Sequence, residues 1–245
     1  MTKQVNVKGT IIPNDVKFIY DLFDIDSTSP NDINDVIDNN GDEIEVIVNS
    51  GGGDVFSGSE IYTALKDSNH KVTVKVTGIG ASSASVIAMA GDEVQMSPTA
   101  QIMIHNVSSG AQGDYKELKH ESDVIKNYNK SIASAYVNKT GKSEQEILNL
   151  MDKETWLTAQ QAKEQGFIDK VMFEDDNNQN MNLVASNNAT ILPQAVIDKV
   201  KNDRLDQVME YGVTDDKSQE EDNTTNDVTI EQQQAQAKLN LLKLK

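Results

Sequence analysis

Attack on a carbonyl carbon needs a nucleophile, a base to take its proton, and donors to hold the negative charge that develops. The chain has no cysteine, which excludes a thiol, and it offers three histidines as bases: His70, His105 and His120. His70 follows the polar turn Asp67-Ser68-Asn69 and is expected at the surface. His120, between Lys119 and Glu121, is expected on the solvated face of a helix. His105 differs, because it closes the apolar run Ile102-Met103-Ile104 just before a loop, where a rigid strand delivers a side chain to a site. The serines that could meet it lie in Gly80-Ala81-Ser82-Ser83-Ala84-Ser85, a strand-to-helix turn built of small residues. A serine there faces the free N–H groups of a helix start, and its small neighbours let a substrate backbone approach. Read without chemistry, the same run is a tightly packed helix. A third part is Gly51-Gly52-Gly53, whose backbone can adopt φ > 0 and turn N–H groups toward a ligand. It lacks the Gly-Lys-Ser/Thr of a phosphate loop, and its plain alternative is a flexible loop.

These segments need a scaffold, and the periodicity supplies one. Helices are expected from Pro13-Asn14-Asp15 through Phe23, over about 30–39 with a stop at Gly41, and around Ile61, Tyr62 and Leu65. Residues 43–49 read as a strand buried on both faces, from the consecutive Val46-Ile47-Val48. The alternation of Val72, Val74 and Val76 marks a strand over 71–77, and a small-residue helix follows over 81–90. Further strands are expected at 93–96 and 101–105. A long helix is expected over 115–138, with Leu118, Ile125, Tyr128, Ile132 and Tyr136 on one apolar face and Gly141 as its end. Short helices follow at 144–151 and 159–165. Strands alternating with helices predict an α/β domain with a largely parallel sheet.

Charge and composition narrow the function classes. The net charge of −17, with Arg204 the only arginine among 22 basic residues, argues against nucleic acid or an anionic membrane as partner. The longest strongly apolar stretch, 86–90, is too short to span a bilayer. No secretory pattern opens the chain, so a cytoplasmic protein is expected. Composition shifts near Glu174. Residues 1–173 are expected to form the globular domain, and 174–245 an acidic linker and helix-prone, partly disordered tail.

Five segments in order resemble the Clp-protease family over about residues 5–171. They are Asn49-Ser50-Gly51-Gly52-Gly53, Gly78-Ile79-Gly80-Ala81-Ser82 continuing to Ala90-Gly91, Met103-Ile104-His105, Trp156-Leu157-Thr158-Ala159, and Gly166-Phe167-Ile168-Asp169. Within the family, Gly53-Asp54-Val55-Phe56 and Ile87-Ala88-Met89-Ala90-Gly91-Asp92 look like the phage branch that acts in head maturation. The resemblance implies the Clp-protease/crotonase-like fold and a serine endopeptidase, ATP-independent or partner-assisted, acting on capsid or scaffold proteins. It assigns Ser82 as nucleophile, His105 as general base, and the N–H groups of Gly52 and Ser83 as the oxyanion hole. Glu154, two residues before Trp156, takes the place of the usual aspartate, with Asp152 as the alternative. Gly51 stands where the family has proline, which should loosen that turn. No metal or cofactor is implied. The expected partner is a second copy of the chain, in rings of seven, single or stacked, within the host cytoplasm or a procapsid. Two other readings stay open: a crotonase-like acyl-CoA enzyme, and a catalytically silent capsid-assembly or scaffold protein.

Overall fold

The computed structural model describes residues 2–37 and 43–174. All belong to one compact unit, Met1–Asn178. The helix expected over 30–39 already ends at Asn34, capped by Asp35, while the expected stop at Gly41 and the tail lie outside the described residues.

Among the described residues, eight strands form one sheet. Its main path runs β2 (Ser27–Thr28), β1 (Lys3–Ile11), β3 (Ile44–Gly53), β4 (Val72–Ala81), β5 (Glu93–Met96) and β8 (Lys170–Val171), each pair parallel. Off this path, β6 (Gln101–Ile104) lies parallel to the end of β4, and β7 (Thr155–Thr158) pairs antiparallel with β6. The expected α/β class and parallel sheet are therefore present. The strands β1, β2, β7 and β8 are additions to the sequence reading.

One sheet face is sealed. Ile44, Val46, Val48, Val72, Val74, Val76, Val94 and Met96 are all buried and join the core with Ile61 and Leu65 of α3 (Val55–Asp67) and Ile87 of α4 (Ser83–Ala88). The other face does not match the expectation of burial on both sides. Ile47 is only partly buried there, beside the Glu45–Lys75 ion pair that crosses β3 and β4. Alternation governs this strand, and the run of three apolar residues was misleading.

The helix expected from Pro13 begins as a 3-10 turn, Asn14–Val16, and continues as α1 (Lys17–Leu22). Near Ser29, α2 (Pro30–Asn34) starts with a reciprocal cap between Ser29 and Asp32. The long helix is α5 (Tyr115–Thr140), opened by an Asp114–Glu117 capping box and closed by Gly141 at φ 71°. Only its second half meets the core, through Asn129, Ile132, Ala133, Ala135 and Tyr136. Leu118 and Tyr128 of the apolar face are exposed, as is Tyr115, and Tyr128 packs edge-on against exposed Phe56 of α3. Lys139 fixes the far end, donating to Asp169 at 2.6 Å, while Asp169 accepts from Val94 N–H at 2.7 Å. After α6 (Glu144–Asp152) and β7, the chain ends its described part with α7 (Ala159–Glu164) and β8.

Candidate active site

Ser82 stands at the corner between β4 and α4, with φ 56° and ψ −128°. That is left-handed territory for a residue with a Cβ, a conformation costing about 1–3 kcal/mol unless its surroundings enforce it. They do. Its N–H donates to Met103 O at 3.0 Å, and its carbonyl accepts from Ser85 N–H at 2.9 Å, Val86 N–H at 3.2 Å and Ser85 Oγ at 2.6 Å. The corner turns the Ser82 side chain toward the neighbouring strand.

That strand is β6, paired with β4 so that Ala81 faces Met103. His105 follows two residues later and places Nε2 2.8 Å from Ser82 Oγ. The loop beyond is fixed as well: Val107 N–H donates to Asn129 Oδ1 of α5 at 2.8 Å. Neither other serine competes. Ser83 is buried with its Cβ turned toward Gly58 of α3, and Ser85 spends its hydroxyl on the Ser82 carbonyl.

Gly52 sits directly beneath this corner at φ +95°. A Cβ placed on it would lie 2.7 Å from both Ala81 O and Ser82 Cβ, and 3.1 Å from Ser83 N. Its own N–H, however, donates to Ser50 Oγ at 3.0 Å, and that hydroxyl donates onward to Gly9 O at 2.6 Å. The Ser82–His105 pair borders a cavity of about 80 Å³ whose wall includes Gly53, Val55, Val86, Ile132 and Tyr136.

The antiparallel β6–β7 ladder ends with Ile104 opposite Thr155, and His105 and Glu154 are the residues that flank that last pair. Glu154 has φ 49° and its Oε1 accepts from Trp156 Nε1 at 3.2 Å. Asp152 accepts from Asn106 Nδ2 at 2.8 Å.

Residues 35–175 match the family model described as Clp protease. The chain belongs to the Clp protease family. Among the similar Clp-family proteins is the ATP-dependent Clp protease proteolytic subunit of Bacteroides fragilis, 33% identical over 136 residues, which are 55% of this chain and 66% of that protein. The proteolytic subunit of Pleurastrum terricola is 34% identical over 54% of this chain and 68% of its own length. Proteolytic subunit 1 of Chlamydia abortus is 34% identical over 55% and 72%. The chain thus spans just under two thirds of the Bacteroides relative. Among solved structures, a point mutant of ClpP1 from Listeria monocytogenes superposes with a TM-score of 0.58 at 23% identity, covering 71% of this chain and 93% of that one. That likeness bears on the fold.

The structure brings Ser82, Ser83 and His105 together at one corner, with Gly52 packed against it. The Gly52 N–H donates to Ser50 Oγ, and Gly52, lacking a Cβ, leaves room beside Ser83 N. Glu154 lies just beyond the end of the β6–β7 ladder with its carboxylate on Trp156, and among the described residues no carboxylate oxygen bonds His105. His70, expected at the surface, is 5% exposed, whereas His120 is solvated as expected. Sequence reasoning missed Asn129, Ser85 and Tyr136. Asn129 carried a signal, since a polar residue recurring on the apolar stripe of a helix is a buried hydrogen-bonding group. Among the described residues no helix is long and apolar enough to cross a membrane, and no group of three or more metal-ligating side chains forms.

Proposed function

We propose that this Clp-family chain is a serine endopeptidase whose nucleophile is Ser82. The observation that carries the reading is the 2.8 Å contact between Ser82 Oγ and His105 Nε2 on a strained strand-to-helix corner. His105 Nε2 takes the proton as Oγ attacks the scissile carbonyl, then returns it to the leaving amine, leaving an ester on Ser82 that water hydrolyses. For Nε2 to accept, Nδ1 must carry the ring's other proton, and Glu154, moved off Trp156, is the carboxylate proposed to hold it. Ser83 N–H and the cavity-lining Gly53 are the proposed partners of the oxyanion. The apolar wall suits a small or medium apolar side chain of the substrate.

Among the described residues no carboxylate lines the cavity, which favours this reading over the acyl-CoA enzyme. The Gly53–Phe56 and Ile87–Asp92 segments support the narrower proposal of a phage head-maturation enzyme that cuts capsid or scaffold proteins, working as a ring of copies, with or without an ATPase. Labelling by a serine-reactive fluorophosphonate, located by mass spectrometry, tests the chemistry. Adduct on Ser82, absent in Ser82→Ala, is expected; an adduct elsewhere refutes Ser82 as the nucleophile, and no adduct at all leaves the catalytically silent assembly protein. Cleavage of purified capsid and scaffold proteins tests the substrate, and uncut proteins beside an active peptidase would remove the phage assignment alone.

A further inference from the structure

The corner at Ser82 is braced from a direction the reaction does not require. Tyr136, on the buried half of α5, is 1% exposed and places its hydroxyl 2.7 Å from Ser85 Oγ. Ser85 is fully buried, and its Oγ lies 2.6 Å from the Ser82 carbonyl oxygen. A serine hydroxyl has a single proton, and a carbonyl can only accept. Ser85 therefore donates to Ser82 O, and Tyr136 must be the donor to Ser85. The order is fixed: Tyr136 O–H to Ser85 O–H to Ser82 C=O.

That carbonyl belongs to the same planar peptide group as Ser83 N–H. Hydrogen bonds to the oxygen of an amide hold its plane and draw charge from its nitrogen, which strengthens the N–H as a donor. The chain of hydroxyls thus begins in the core of α5 and ends on the proposed oxyanion amide. Burial matters here, because the low dielectric raises the strength of each link. Nothing in the packing demands these hydroxyls, since an alanine and a phenylalanine would fill the same space with fewer polar atoms to satisfy.

We infer that Tyr136 and Ser85 are positioning residues that orient and polarise the Ser82–Ser83 peptide, and so tune the stabilisation of the oxyanion. The inference rests on the reading of Ser82 as nucleophile and Ser83 N–H as oxyanion donor. It goes beyond that reading in assigning part of the transition-state stabilisation to a helix that does not hold a reacting group.

The test uses the full chain with Tyr136→Phe, Ser85→Ala and the double variant. It measures kcat and KM on a fluorogenic peptide, the fluorophosphonate inactivation rate and the melting temperature. Removing one buried hydrogen bond is expected to lower kcat by roughly 3–10-fold for Tyr136→Phe and roughly 10–50-fold for Ser85→Ala, with KM within twofold. Because both act through one chain, Tyr136→Phe should have almost no further effect once Ser85 is alanine. Ser85→Thr, which keeps the hydroxyl, should recover most of the rate lost in Ser85→Ala, which guards against a mere packing effect. Wild-type kcat in folded Tyr136→Phe, or independent effects in the double variant, would overturn the inference while leaving Ser82 labelling intact. A wild-type protein not labelled at Ser82 would overturn the nucleophile reading, and the inference with it.

Discussion

Replacing Gly52 by alanine should damage catalysis out of proportion to the single methyl added. The new Cβ would lie 2.7 Å from Ala81 O and from Ser82 Cβ, where ordinary contact begins near 3.4 Å. The overlap is about 0.7 Å, and both neighbours are held by the main chain. Alanine at φ +95° adds about 1–3 kcal/mol of backbone strain. Together these should cost about 2–4 kcal/mol of stability, lowering Tm by roughly 4–16 °C for a domain of this size. The rate effect is larger. A shift of Ser82 approaching 1 Å costs on the order of 10²-fold, and the methyl, 3.1 Å from Ser83 N, also occupies the space in front of that amide. We expect kcat to fall by at least about 10²-fold in protein that is folded at the assay temperature. Gly51→Ala is the matched control, because a Cβ there meets nothing within 4 Å and should change stability by no more than about 0.5 kcal/mol. Fluorogenic-peptide turnover and thermal denaturation of both variants decide the matter. Equal kcat in the two would refute the argument that Gly52 is there for space.

Glu154→Gln should lower turnover by as much as about 10⁴-fold, and Asp152→Asn far less; the reverse ranking would show that the carboxylate reaching His105 comes from the end of α6. Burial pushes the Tyr136 hydroxyl above its ordinary pKa of about 10. The unfolded chain then ionises first, so this contribution to stability is complete below pH 10 and lost above it, at about 1.4 kcal/mol per pH unit. Denaturant titrations of wild type and Tyr136→Phe from pH 9 to 11 should diverge accordingly, and parallel curves would contradict it. Residues 1–173 alone should retain peptide hydrolysis and sediment as closed rings; loss of hydrolysis in assembled protein would assign residues 174–245 to the enzyme.

How much of this was legible depended on range along the chain. Strands with strict alternation, such as Val72, Val74 and Val76, announced themselves, as did helices with local caps. β1 did not, because Gly9 breaks it: the register slips between Lys8 and Thr10, and lysines and Asn6 dilute Val5 and Val7. β7 and β8 are too short to carry a period. At the site, Ser82 and His105 could be named because each ends a strand, and adjacent parallel strands bring their ends together. The glycine turn was legible as a turn, but the fate of the Gly52 amide depended on where the Ser50 side chain fell. Tyr136 read as core because its ring is core; only folding across 51 residues shows what its hydroxyl meets.

The two halves of α5 differ in what holds them. A helix of 26 residues is about 39 Å long, yet its first thirteen residues bury no side chain in the core. A helical segment of that length without packing is marginal in water. Its amides should open locally and exchange with deuterium within seconds to minutes, while those from Asn129 to Tyr136 open only when the domain unfolds. The protected stretch carries both Asn129 and Tyr136, so the braces on His105 and Ser82 share one cooperative unit and should melt together.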